Sequence, residues 1–165
     1  MFNQLFKSVV MSIGILYTVN SYADVRSLAR IYQHPNQAAY YNGCYMNGSY
    51  TLSFGNVSSL NQDIESNTTM WLWCPSGINW QIGLDNGQNA TGTQRRMTNG
   101  IDYVNYELYQ DTSYSRRWGN TLNTDTVSGT AKGELQYLNI YGKVPKQTHK
   151  TSGVYNDTIV ITLTY

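Results

Sequence analysis

Gly153-Val-Tyr-Asn-Asp-Thr-Ile-Val-Ile-Thr-Leu-Thr-Tyr165 is the stretch whose reading decides the fold. From Thr158 onward it alternates. Ile159, Ile161, Leu163 and Tyr165 fall on one side, and Thr158, Val160, Thr162 and Thr164 on the other. Period two, β-branched residues and no Pro or Gly after Gly153 predict a β-strand with one apolar face. Such a strand ordinarily sits inside a sheet with a neighbour on each edge. The given sequence stops here, so one neighbour must come from an earlier segment or from another molecule. The expectation is an acceptor edge formed by Ile159, Ile161, Leu163 and Tyr165.

Outward from that strand, the chain of 165 residues suits one domain. Its net charge of +1 gives no bulk electrostatic case for nucleic acid or an anionic membrane. Charged residues are 13% of the total, about half the usual share of roughly 25%. Polarity therefore comes from Asn, Thr, Ser, Gln and the 15 Tyr, a mix suited to an exported β protein.

The first residues read as an export signal. Lys7 closes a short n-region, Ser8 to Val19 is apolar, and Ser21-Tyr22-Ala23 offers small residues for cleavage after Ala23. The apolar run is too short to span a bilayer, which takes about 20 residues. The expected layout is a leader over 1–23, an arm over 24–43 and a domain over 44–165, with no membrane span after cleavage. Export gives meaning to Cys44 and Cys74, the only two cysteines, which have one possible pairing if both oxidise. Two cysteines so far apart and two histidines give no metal-ligand spacing.

After the leader, Asp24–Tyr32 places Val25, Ser27, Ala29 and Ile31 on one face if extended. The spacing of Leu28 and Ile31 also fits a helical turn, and an unstructured terminus fits as well. Strands are predicted at Tyr50–Phe54 (ended by Gly55-Asn56), Met70–Cys74, Asn79–Asp85 with Trp80, Ile82 and Leu84 inward, Val104–Leu108 with Val104, Tyr106 and Leu108 inward, and Leu135–Tyr141 (broken by Gly142 and Pro145). Asn56–Asn67 and Asn86–Thr93 read as loops. Short strands without an amphipathic helix indicate an all-β sandwich.

No catalytic motif is present. Asp63 and Glu65 read as solvated loop acids, and His34 and His149 have no triad-like neighbours. Trp71, Trp73, Trp80 and Trp118 suit a sandwich core better than a sugar-stacking surface, because large aromatics dominate such interiors. An enzyme and a cofactor are not expected.

From Cys44 to the end the pieces fall into a family order. They are Cys44, Phe54-Gly55, Cys74, Arg96-Met97, Tyr106-x-Leu108-Tyr109-x-Asp111, Trp118-Gly119, Tyr141-Gly142-x-x-Pro145, and Gly153-x-Tyr155-x-Asp157-Thr158. This order resembles the spore coat protein U domain family, which includes Csu-type subunits of archaic chaperone–usher pili. The resemblance implies an incomplete immunoglobulin-like sandwich that lacks its last strand and is completed by a donated one. It implies a periplasmic chaperone that lends the strand, and an outer-membrane usher that exchanges it for the arm of the next subunit. Head-to-tail contacts of that kind build a fibre. The implied product is a cell-surface fimbrium supporting attachment and biofilm formation. The donor would be Val25, Ser27, Ala29 and Ile31. A single domain suits a stalk or adaptor subunit. Two other readings stay open: a coat or surface protein whose own arm completes the sandwich, and a carbohydrate-binding module.

Overall fold

The computed structural model describes residues 43–46, 50–148 and 150–165 in full, and residues 7–16 by their backbone. Among these residues the chain is all-β, and no helix is long and apolar enough to cross a membrane. The strands are β1 (Lys7–Leu16), β2 (Tyr45–Met46), β3 (Thr51–Asn56), β4 (Ile64–Trp73), β5 (Asn79–Leu84), β6 (Arg95–Thr98), β7 (Tyr103–Tyr109), β8 (Val127–Thr130), β9 (Leu135–Val144) and β10 (Val154–Thr164). They pair in the order β2-β4-β9-β7-β6-β10-β1-β3, and β5 lies between β10 and β8. All pairs are antiparallel except β1 with β3. The result is an immunoglobulin-like sandwich. One layer is β2-β4-β9-β7 and the other is β3-β1-β10-β5-β8, with the β6–β7 hairpin passing between them.

Alternation explains which residues meet inside. Met70 and Leu72 of β4, Tyr106 and Leu108 of β7 and Ile140 of β9 are buried with Leu52 and Phe54 of β3, Ile82 and Leu84 of β5, and Ile159, Ile161 and Leu163 of β10. Phe54 meets Tyr106 edge-on across the layers, ring centroids 6.4 Å apart. The Cys44–Cys74 disulfide forms and ties the start of β2 to the end of β4.

Several expectations need correction. β4 begins at Ile64, so Glu65 sits in a strand and not in a loop. Its first half is polar because it lies over the rim of the layer, with alternate residues exposed. β3 runs through Gly55 to Asn56, Gly55 adopting φ 71°. β9 continues through Gly142 to Val144. A Cβ at Gly142 would lie 2.8 Å from Phe54 Cζ and 2.9 Å from Leu52 Cδ2, so this glycine permits close approach of the layers and does not end the strand. The short strands β6 and β8 were not expected. Trp80 and Trp118 are buried, but Trp71 and Trp73 lie half-buried on the outer face of β4, because Met70 and Leu72 take the inner phase.

Candidate functional site

The alternation of the last strand builds the site's wall. Ile159, Ile161 and Leu163 are buried, and Tyr165 packs against the core. Opposite them, Leu52 and Phe54 of β3 are buried too. Between these two strands lies β1. It runs antiparallel to β10 for ten residues, from Lys7 opposite Leu163 to Leu16 opposite Val154, and parallel to β3 from Ser12 opposite Thr51. Val9, Met11, Ile13 and Ile15 stand in register with Ile161, Ile159, Asp157 and Tyr155. The final strand is therefore paired on both edges within this chain. The expectation of an open edge is corrected on this point: the neighbour comes from residues 7–16, inside the stretch read as a leader. Val25, Ser27, Ala29 and Ile31 lie outside the described residues, as do His34 and His149.

Behind the wall is a buried polar lock. Arg95 and Met97 are inward on β6, while Arg96 faces out. Arg95 is wholly buried. Its guanidinium pairs with Glu107 and donates to the carbonyls of Leu84 at 2.7 Å, Trp118 at 2.8 Å and Asp85 at 2.8 Å. Burial lowers its pKa, partly opposed by Glu107. Glu107 also takes Arg117 Nε at 2.9 Å, and Arg117 reaches Asp125 at 3.3 Å. Charges taken out of water in this way persist only when paired and hydrogen-bonded.

A second cluster sits in β10 itself. Asp157 is buried and accepts from Tyr106 Oη at 2.7 Å, from Asn89 N at 3.1 Å and from Asn89 Nδ2 at 3.0 Å. Burial raises the pKa of its carboxyl, and these hydrogen bonds oppose the shift. Burial, with the neighbouring Asp157 charge second, pushes the Tyr106 hydroxyl far up. Tyr106 therefore donates at every physiological pH.

The other motif residues fall into supporting places. Trp118 is buried and donates to Ile82 O at 2.8 Å; Gly119 N donates to Asp125 O at 2.9 Å. Leu108 and Met97 are core. The Tyr109 ring meets Tyr114 at 5.5 Å. Asp111 accepts from the Ser113 hydroxyl above all, and from the N–H groups of Ser113, Ser115 and Arg116, and these bonds hold its carboxyl well below the usual range. Tyr155 Oη donates to Thr151 O at 2.7 Å. Arg96 lies over the Tyr103 ring at 4.2 Å and donates to Asn89 O. Pro145 follows the end of β9, and Gly153 packs on Asn99 ahead of β10. Asp63 and Glu65 both engage Lys143, at 2.8 and 3.4 Å. Among the described residues no group of three His, Cys, Asp or Glu side chains is placed to hold a metal ion. Arg95, Glu107, Asp85 and Asn89 were missed by the sequence reading. The signal for Arg95 was its distance of two residues from Met97, which puts both on one face.

The comparisons with known proteins bear on this arrangement. The Spore Coat Protein U domain matches residues 33–162. Over 81 residues the chain is 38% identical to Protein U of Myxococcus xanthus, covering 48% of this chain and 45% of that protein, so the match spans less than half of the relative. Among solved structures, the backbone is similar to the CsuC–CsuE chaperone–tip adhesion subunit pre-assembly complex from archaic chaperone-usher Csu pili of Acinetobacter baumannii. That likeness has a TM-score of 0.53 at 15% identity and covers 74% of this chain and 39% of the other. It is a likeness of fold.

Proposed function

We propose that this chain, which belongs to the Spore Coat Protein U domain family, is a structural subunit of a cell-surface fimbrium assembled by donor-strand exchange. It is a binding and building module without catalytic chemistry. The observation that carries the proposal is the ten-residue seat between β10 and β3. Its occupant belongs to the stretch read as an export leader. Removal of residues 1–23 takes the antiparallel partner from β10 and the parallel partner from β3. What is left is an apolar slot beside Ile159, Ile161 and Leu163, with backbone groups along both rims. An extended segment from another molecule restores both, by strand addition. A periplasmic chaperone fills the slot first. The arm of the next subunit replaces it at an outer-membrane usher, and the fibre serves surface attachment and biofilm formation.

The alternative of self-completion is disfavoured by reach. A segment in the direction of β1 starts beside Leu163 and ends beside Val154. Gly43, where the arm joins the domain, lies at the Leu163 pole, since a Cβ there would sit 2.8 Å from the Tyr165 hydroxyl. With 24–32 in its own seat, residues 33–43 must return along β10, a distance of roughly 30 Å. Those residues span at most about 36–40 Å when fully stretched. A path around the rim of a layer, with Pro35 in it, exhausts that reach. Donation to a second copy requires no return.

The test is expression of residues 24–165 with and without a periplasmic pilus chaperone. The expected result is a soluble one-to-one complex with the chaperone, and insoluble or polymeric chain without it. Ile161→Asp should abolish capture. A stable soluble monomer in both cases overturns the proposal. Deletion of residues 24–33 separates the alternatives: under self-completion it unfolds the domain, and under exchange it only stops polymerisation.

A further inference from the structure

Among the described residues, six of the seven exposed large apolar side chains gather at two opposite poles of the sandwich, and the seventh, Leu122, lies in the loop between β7 and β8. At one pole, Leu135 pairs with Trp73 and Trp73 with Tyr45, while Tyr137 pairs with Trp71 one step inward. Leu135 is 50% exposed, Tyr137 67% and Tyr45 41%. Gly43 and Tyr165 mark the same end. At the other pole the turn of the β6–β7 hairpin carries Ile101, 79% exposed, and Tyr103, 44%, close to Val154, 46%. The register Thr98 with Tyr103 and Thr98 with Asn156 fixes that closeness. Six exposed apolar side chains in two clusters form a pattern that scattered surface residues do not.

We propose that these poles pack on one another between successive copies of this chain: Ile101, Tyr103 and Val154 of one copy meet Tyr45, Leu135 and Tyr137 of the next. The inference rests on donor-strand exchange and adds a second contact to it. The direction of the seat supplies the argument. A donated arm enters beside Leu163 of the accepting copy and leaves beside Val154. It then has residues 33–42 before it joins its own domain at Gly43, at the Tyr45 pole. The accepting copy's Val154 pole is thereby tethered nearest to the donor's Tyr45 pole, where the arm joins its own domain. Tethering raises the local concentration of the two clusters into the millimolar range. Burial of apolar area then needs no further association step. The contact is heterologous, so it repeats along a fibre without closing.

Ile101→Asp and Tyr137→Asp test this, since both side chains are exposed and lie outside the seat. Two readouts are taken on residues 24–165 released from the chaperone: uptake of a labelled peptide of residues 24–33, and polymer length by sedimentation. Both variants should take up the peptide like the parent. Their polymers should shorten by about tenfold, the effect of one unfavourable carboxylate per junction. Ile101→Asp combined with Tyr137→Lys should restore length. Parent-length polymers from both single variants overturn the pole contact alone. Failure of the parent to take up the peptide overturns strand exchange itself and the pole contact with it.

Discussion

Arg95 and Arg96 are neighbours in sequence with opposite fates, and their replacement by Met should separate them sharply. Arg95→Met leaves Glu107 with Arg117 as its only cation among the pairs described, and strips a donor from the carbonyls of Leu84, Asp85 and Trp118. Breaking one side of a buried ion pair costs about 3–5 kcal/mol. The surviving 2.9 Å contact between Glu107 and Arg117 argues for the lower half of that range. Arg96→Met removes a stacking contact with Tyr103 and one hydrogen bond to Asn89 O, worth about 1 kcal/mol together. The assay is urea unfolding of the disulfide-intact chain in complex with the proposed chaperone or the arm peptide, followed through the buried Trp80 and Trp118. At a slope of about 2 kcal/mol per molar urea, Arg95→Met should lower the midpoint by roughly 1.5–2 M and Arg96→Met by about 0.5 M. The double change Arg95→Met with Glu107→Leu should regain part of the loss, because no buried charge is then stranded. Equal shifts for the two single variants would refute the reading of β6 as a strand with one charged residue locked inside.

Four further outcomes are expected. The folded-state pKa of Asp157 lies above its ordinary value of 3.8, so its contribution to stability is fully present below that value and is lost as pH rises through the folded pKa. Asp157→Asn should therefore flatten that part of the slope when urea midpoints are compared from pH 4 to pH 7; an unchanged slope would place the titration elsewhere. Asp111 has the opposite sign, since its pKa is depressed: its contribution is present above the ordinary carboxyl range and is lost on acidification, and Asp111→Asn should reduce the acid loss. Replacing both Cys44 and Cys74 by Ala opens a link over 30 residues and should cost about 3–4 kcal/mol, read as a lower melting temperature with the strands intact by circular dichroism. Gly142→Ala forces a methyl into the contact with Phe54 and Leu52 and should cost about 1–3 kcal/mol; a neutral result would mean the layers yield there.

Much of the scaffold was legible because strong alternation survives in the core strands. Val104, Tyr106 and Leu108 are fully buried as expected, and so are Ile82, Leu84, Ile159 and Ile161. What failed had weak or misleading local signal. β6 is four residues with two arginines, and a charge reads as surface unless its phase is tied to Met97. β8 has Ser and Gly at its centre, opposite the Trp80 indole, where a Cβ on Gly129 would lie 2.7 Å from Cζ2. Gly142 looks like a breaker because sequence shows its freedom and not the ring that needs its space. The size of Trp71 and Trp73 favours the core, whereas Leu72 and Met70 set the phase of β4. The occupant of the seat was legible only as an apolar run. Nothing local distinguishes a run that crosses to a translocon from one that fits a groove.

The two edges of β10 differ in how they are held, and the difference has a consequence for the proposed assembly. On one edge β10 pairs with β5 from Ile161 to Thr164 and with β6 at Asn156. The gap between those partners is bridged by a loop: Asp85 N donates to Val160 O at 3.1 Å, Asp85 Oδ1 accepts from Val160 N at 2.9 Å, and Gln88 N donates to Thr158 O at 3.1 Å. Asn89 closes the run on Asp157. Every contact on this edge comes from residues 81–98, and Arg95 fastens that segment through the carbonyls of Leu84 and Asp85. Among the described residues, the other edge is paired only with the strand in the seat. Successive residues of a strand present their backbone groups to alternate edges, so the strand in the seat touches none of the groups that fix the register of β10. A strand built this way would keep its shape while its partner in the seat is replaced, as the proposed stepwise exchange along a fibre demands.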